Sequence, residues 1–456
     1  MRFVLILGVL GASCSFYTPT VADCTLACGA NDACPQGLSC RGGLCRGASA
    51  QADCECAVGK SRACGSAVGV CVPGTQACLP GGTWGECAGE TKPSEELCDG
   101  VDNDCDGLVD VGPAQLIIDN NNGPYVAHWR LHGHDAGFTL VAVLEGPDGG
   151  GDVRALRYDR HFAPQGQSDS IVTFAADDWR RADSINVGQT IYVSYSKDPD
   201  LALSRVLPDG TVEHVATILD AGYDGRINVG AGARGVISNY LSLEGTARVA
   251  TWALDGGATA VRDLALADGG VITWVGSSTD GTFSILEADA EDGGYVELVQ
   301  DNVAPDPVNL EAPFWKSQRF ITRPTGQLVH FDIIPVVMGM DDTRVVYWRD
   351  YAQQTTGRYF DVEVAGRWHD SDFTLSDKGD VVAVYGNETT QRLVVARIEG
   401  ITSNELQLTR RQLDDVVVPL TNSSGNFLVA HVPGDPMFGV AWSTRNKVYA
   451  RRFCAP

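Results

Sequence analysis

The 456-residue chain carries 58 acidic against 34 basic side chains, a formal charge of −24, so a phosphate backbone would be repelled and no nucleic-acid partner is expected. Gly is abundant at 52 residues, while charged residues are 20% and aromatics 8%, which speaks against long charged helices and for many turns between short strands. The length admits two or three domains and a sizeable core.

Residues 1–22 read as an export signal. Arg2 supplies the basic start, Phe3 to Ala12 form an apolar stretch too short to span a bilayer, and small residues follow. Two processing routes stay open. Gly11-Ala12-Ser13-Cys14 resembles a lipobox, in which Cys14 takes the lipid, although Leu10 stands four residues before that cysteine where three is usual. Ordinary cleavage after Thr20-Val21-Ala22 is the alternative. The first route gives an outer-membrane or cell-surface lipoprotein, with the lipid as the only membrane attachment, and the second a secreted protein.

Of the 15 cysteines, 14 fall within the first 105 residues and Cys454 stands alone. Either processing route removes Cys14 from pairing, leaving an even set: Cys24, Cys28, Cys34, Cys40, Cys45, Cys54, Cys56, Cys64, Cys71, Cys78, Cys87, Cys98, Cys105 and Cys454. Zinc is a poor competitor, because Cys54-x-Cys56 is the one close pair and no histidine lies nearby. Disulfides in an oxidising compartment are therefore expected, each contributing about 2–4 kcal/mol to a segment poor in apolar residues. Residues 23–47 read as a cysteine-rich knot in which Cys28, Cys34, Cys40 and Cys45 close two bridges and leave Cys24 over. Residues 48–112 form a second disulfide-rich module, whose eight cysteines can close among themselves.

From residue 113 to the end, short apolar runs alternate with turn clusters such as GPDGGGD and SKDPD, the texture of strands. A loose hairpin-like unit recurs irregularly from Thr139, Thr190, Ala247, Thr282, Thr343, Asp380 and Met437, with an average spacing of about 50 residues, the size of a four-stranded blade. The fold class expected is all-β: a seven-bladed β-propeller over 113–456, six blades being the near alternative and a pair of β-sandwiches the distant one. The run AQLIIDNNNGPYVAHW from Ala114 would complete the blade carrying Met437 to Phe453. That closure brings Cys454 towards the cysteine-rich region, where Cys24 is the expected partner. Trp252, Trp348 and Trp442 recur at matching places and read as blade-core residues.

Between Cys98 and Asp110 stand five carboxylates, Asp99, Asp102, Asp104, Asp106 and Asp110, together with Asn103. Like charges so dense call for a cation, and Asp102 to Gly107 has the D-x-D-x-D-G form of a calcium loop, in which alternate oxygens turn inward and Gly permits the bend. An oxygen-only set suits calcium in a structural role. This is not an EF-hand, since Pro113 occupies the twelfth position, where a bidentate Glu belongs.

The stretch from Cys54 to Asp110, with GTQACLPGGTWGEC and GETKPSEELCDGVDNDCDGLVD, resembles the MopE-type metal-binding module of exported proteins from myxobacteria and related bacteria. The resemblance implies a bacterial surface protein with a small disulfide-bonded metal-binding domain. The copper ligands of the founding protein lie outside this module, so no copper site is carried over.

Weaker signals are His128, His132 and His134, which read as a strand-to-loop segment before a metal site, and the acceptor-like Asn387-Glu388-Thr389 and Asn422-Ser423-Ser424. No nucleophile elbow, zinc-protease helix, phosphate loop or dinucleotide fingerprint appears in the sequence. Three functions compete: an exported binding protein whose propeller recognises a protein or polysaccharide, an extracellular propeller enzyme acting on carbohydrate or another polymer, and metal acquisition. The first is the reading adopted, and enzymatic activity is left open.

Overall fold

The computed structural model describes residues 24–47, 54–119 and, between 125 and 456, the strands with the shorter turns that join them. Cys14 and the rest of residues 1–23 lie outside the described residues, as does Asn422. The chain divides into two compact units, one running to Glu96 and including Gly100–Val109, the other made of Leu97–Asp99 and Asp110–Pro456. Among the described residues the only helical element is the short 3-10 turn Ala30–Asp32. No helix there is long and apolar enough to cross a membrane.

The first unit has two small hairpins, Leu38–Arg41 with Leu44–Gly47 and Ser61–Cys64 with Gly74–Ala77. Its interior is largely sulfur. Cys24, Cys45, Cys56, Cys71 and Cys78 are buried, whereas Leu26, Val68, Val70, Val72 and Leu79 are exposed. Six disulfides replace an apolar core: Cys24–Cys54, Cys28–Cys40, Cys34–Cys45, Cys56–Cys78, Cys64–Cys87 and Cys71–Cys105. The expected Cys24–Cys454 bridge is not formed. Local geometry explains why: the Gly82 carbonyl accepts from the Glu55 and Cys56 amides, and the Cys24 carbonyl accepts from the Val58 amide at 2.8 Å. Those bonds lay residues 54–58 against Cys24, with Gly82 packed on Cys24 Sγ where no Cβ would fit. Cys54 thus leaves its sequence cluster, and Cys98 leaves it too.

The second unit is a series of four-stranded antiparallel sheets, seven among the described residues. In six of them the strands follow chain order, over 125–174, 182–218, 228–263, 271–309, 319–361 and 371–417. The seventh takes Phe427–His431, Met437–Thr444 and Lys447–Cys454 from the C-terminus and Gln115–Asp119 from the start of the unit. Only the first half of the run from Ala114 therefore completes that sheet. Its second half, Tyr125–His134, opens the first sheet, because residues 120–124 separate two strands that pair with different partners.

In the first, second, third and seventh sheets the core lies between sheets rather than within one. Trp129, Leu131 and Leu140 of the first sheet pack with Leu428, Ala430 and Ala450 of the seventh. Val141, Val143 and Val153 of the first pack with Ile191, Val193 and Ala202 of the second. Tyr192 and Leu203 of the second pack with Val229, Val236 and Trp252 of the third. Such face-to-face stacking is how propeller blades bury what one sheet cannot. Trp252 is fully buried and its indole N–H donates to Ser238 Oγ at 3.1 Å, while Trp442 stacks on Tyr449. The Trp348 side chain lies outside the described residues.

Buried charge ties the first strands of neighbouring sheets together. Asp183 accepts from Arg130 Nε at 2.9 Å with one carboxylate oxygen and from the Val229 amide at 3.0 Å with the other, so three consecutive sheets meet on one side chain. Asp372 repeats part of the device by accepting from the Val429 amide at 2.8 Å. The end of the chain is held by Cys98–Cys454, by the Cys454 amide on the Asp110 carbonyl at 2.9 Å and by the Gly112 amide on the Arg452 carbonyl at 3.0 Å.

Candidate cation site

The acidic loop is organised by one residue outside the Asp run. Glu96 Oε1 accepts from the amides of Asn103 at 2.5 Å and Asp104 at 2.8 Å, which folds the loop over the Glu96 side chain. Two side-chain turns then shape its far half: Asp104 Oδ1 accepts from the Asp106 amide at 3.2 Å and Asp106 Oδ1 from the Leu108 amide at 2.8 Å. This is the local bonding that makes Asp a turn residue. Gly107, at φ +96°, supplies the bend and donates its amide to Asp102 Oδ2 at 3.0 Å. On the other side, the Val70 amide donates to the Asp102 carbonyl at 3.0 Å, and Gly69 approaches that carbonyl so closely that an added Cβ would lie 2.2 Å from it.

As a result Glu96, Asp102 and Asp104 bring carboxylate oxygens within 4.8 Å of one another. Glu96 is 3% and Asp102 5% exposed, and Glu96 Oε2 and Asp102 Oδ1 are buried with no hydrogen-bond donor among the described residues. A buried carboxylate oxygen without a donor is costly unless a cation faces it. The Asp104 carboxyl is pushed up to about 6, first by burial and then by the charge of Asp106, with smaller contributions from Glu96 and Asp102 and against the hydrogen bond from the Asp106 amide. Three hard oxygen donors, two of them buried and unpaired, are the set a divalent cation such as calcium takes; nothing soft is present to select copper or zinc.

Of the residues singled out in the sequence, Asp102 and Asp104 belong to this cluster. Asp106 is exposed beside it, and Asn103 contributes its backbone, the carbonyl accepting from the Ser94 amide at 2.9 Å. Asp99 and Asp110 belong to the other unit, where the Asp99 amide donates to Asp110 Oδ1 at 3.1 Å. Glu96 was missed because the calcium-loop template counts forward from Asp102; the available signal was an acidic residue two before Cys98 in SEELCDG. The close sulfurs of Cys28, Cys34 and Cys45 are all in disulfides and offer no thiolate. His132 Nε2 meets Ser184 Oγ at 2.7 Å and His134 Nε2 meets Thr139 Oγ1 at 2.9 Å, both within sheet packing. The His128 side chain lies outside the described residues.

No protein-family model matches the chain, and no curated protein matches it in sequence. Solved structures with similar overall form include virginiamycin B lyase from Staphylococcus aureus, at 9% identity and a TM-score of 0.43, covering 75% of this chain and 99% of that one. A periplasmic gluconolactonase from Pseudomonas aeruginosa aligns at 14% identity and a TM-score of 0.41, over 70% of this chain and 99% of its own. The fucose-binding lectin of Aleuria aurantia, a six-bladed propeller, aligns at 10% identity and a TM-score of 0.38, over 60% and 90%.

Proposed function

We propose that the chain is an exported binding protein of a bacterial cell surface, with a cation-holding disulfide module of the MopE type and a closed seven-bladed propeller that presents its loops to a protein or polysaccharide. Seven disulfides belong to an oxidising compartment. Closure is supported by the seventh sheet, which takes strands from both ends of the unit and shares a core with the first. A ring held in this way is a rigid scaffold for variable loops, which is what recognition requires. Lipidation at Cys14 would tether the protein to the membrane surface.

The observation that carries the ion-holding role is the pair of buried, donorless oxygens, Glu96 Oε2 and Asp102 Oδ1, facing a third carboxylate. The oxygen set favours calcium over copper or zinc, and the role is structural. Calorimetric titration of the mature, oxidised protein with calcium, copper and zinc chlorides tests this reading. Saturable calcium binding at one site is expected, and no calcium binding would remove this reading; copper or zinc binding that calcium does not displace would favour metal acquisition at another site. A glycan array probed with the same material tests the recognition role, where reproducible binding to one glycan class supports it and blank arrays point to a protein partner.

A further inference from the structure

Cys105 sits inside the acidic loop, between Asp104 and Asp106, and its sulfur is bonded to Cys71 across 34 residues. The backbone there is in the left-handed region, φ 62°, where a residue with a Cβ is held only by its surroundings. Cys71 is buried, and the two residues before it make the other wall of the loop: the Val70 amide donates to the Asp102 carbonyl, and Gly69 packs on Asp102 with no room for a side chain. One conformation therefore does two things. It gathers the carboxylates of Glu96, Asp102 and Asp104, and it places Cys105 against Cys71.

We propose that the cation site is redox-gated: the Cys71–Cys105 bond holds the loop in its ion-accepting form, and a bound ion in turn protects that bond from reduction. The inference rests on the ion-holding reading above and adds its regulation. Without the bond, only the amide hydrogen bonds to Glu96 and Asp102 oppose the repulsion of three like-charged carboxylates, and the loop opens. Without the ion, their repulsion pushes on the same loop and exposes the sulfurs. Linkage makes the two effects one quantity: the factor by which the ion disfavours reduction equals the factor by which reduction weakens the ion. Such a module would hold its ion in an oxidising compartment and release it in a reducing one.

The test uses the mature oxidised protein in graded dithiothreitol, with calcium chloride or with chelator. Reduction breaks the Cys71–Cys105 bond, places a proton and an electron on each sulfur and closes dithiothreitol into its own cyclic disulfide. Alkylation and peptide mapping give the reduced fraction of each pair, and calcium titration of material reduced at Cys71–Cys105 gives the affinity. Calcium is expected to shift the reduction equilibrium of Cys71–Cys105 by roughly tenfold or more, within the usual range of site coupling. Cys28–Cys40 and Cys34–Cys45, which do not touch the loop, should not respond. A Cys71→Ser/Cys105→Ser variant should bind calcium more weakly by the same factor. Equal reduction with and without calcium, in protein that titrates with calcium, would overturn the gating while leaving the ion site intact; absence of any calcium binding would overturn both.

Discussion

Glu96 uses one carboxylate oxygen to hold two backbone amides and leaves the other without a donor, so its structural role and its proposed ion-facing role are separable. Glu96→Gln keeps an oxygen for the Asn103 and Asp104 amides and removes the charge. In chelator this variant should be as stable as the parent or more stable by about 1 kcal/mol, because a buried unpaired charge is gone. With calcium at about 100 times its dissociation constant the parent should gain about 2.7 kcal/mol by mass action, and the variant far less; thermal unfolding in the two buffers reads both. The residue itself was hard to see in advance. Asp102, Asp104 and Gly107 announce a loop by their spacing, whereas Glu96 enters through amides that only the folded loop points at it.

His134 is a second residue with a measurable consequence. Burial lowers its proton affinity below the ordinary value of 6.5, and Arg157 adds to this while Asp135 opposes it. The unfolded chain therefore binds a proton more readily than the folded one. The stabilisation is fully present above about pH 6.5 and is lost as the pH falls towards the lowered folded value. Urea unfolding between pH 7.5 and 5.5 should show a decline that is shallower in His134→Gln than in the parent.

At the scale of elements, the sheets were legible as hairpins but not as whole blades. The repeats read from Thr139, Thr190, Thr282, Asp380 and Met437 fall on the second and third strands of their sheets, whereas those from Ala247 and Thr343 fall on the third and fourth. Two neighbouring antiparallel strands with a polar turn look the same whichever hairpin of a sheet they form, because an apolar run and a turn carry no mark of strand order. Two sheets mark their first strand with a buried acid, Asp183 and Asp372. Asp183 joins Arg130 to the Val229 amide, so Asp183→Ala should cost about 1–3 kcal/mol, the loss of a charge-assisted bond together with an unsatisfied buried amide. Chemical unfolding measures that loss, and Asp183→Asn should recover part of it by keeping an acceptor for Val229.

At the scale of the molecule, the sequence disclosed that covalent links stand in for an apolar core in the cysteine-rich region. It did not disclose their pairing, because connectivity depends on which turns lie together, as Gly82 lies against Cys24. Cys454 joins Cys98, 356 residues away, where the terminal strand meets Asp110 and Gly112. Replacing both cysteines by Ser should destabilise the sheet array by about 2–4 kcal/mol. Hydrogen exchange should then show the first opening in Met437–Thr444 and Lys447–Cys454, with the middle sheets following later.

Glu96, Asp102 and Asp104 together are proposed to hold a divalent cation. Crystals of the mature protein grown with calcium, and measured for anomalous scattering, test it most directly. One strong peak is expected within bonding distance of Glu96 Oε2 and Asp102 Oδ1, with an oxygen of Asp104 completing the protein ligands. Well-ordered carboxylates with no peak between them, in a crystal saturated with calcium, would contradict it.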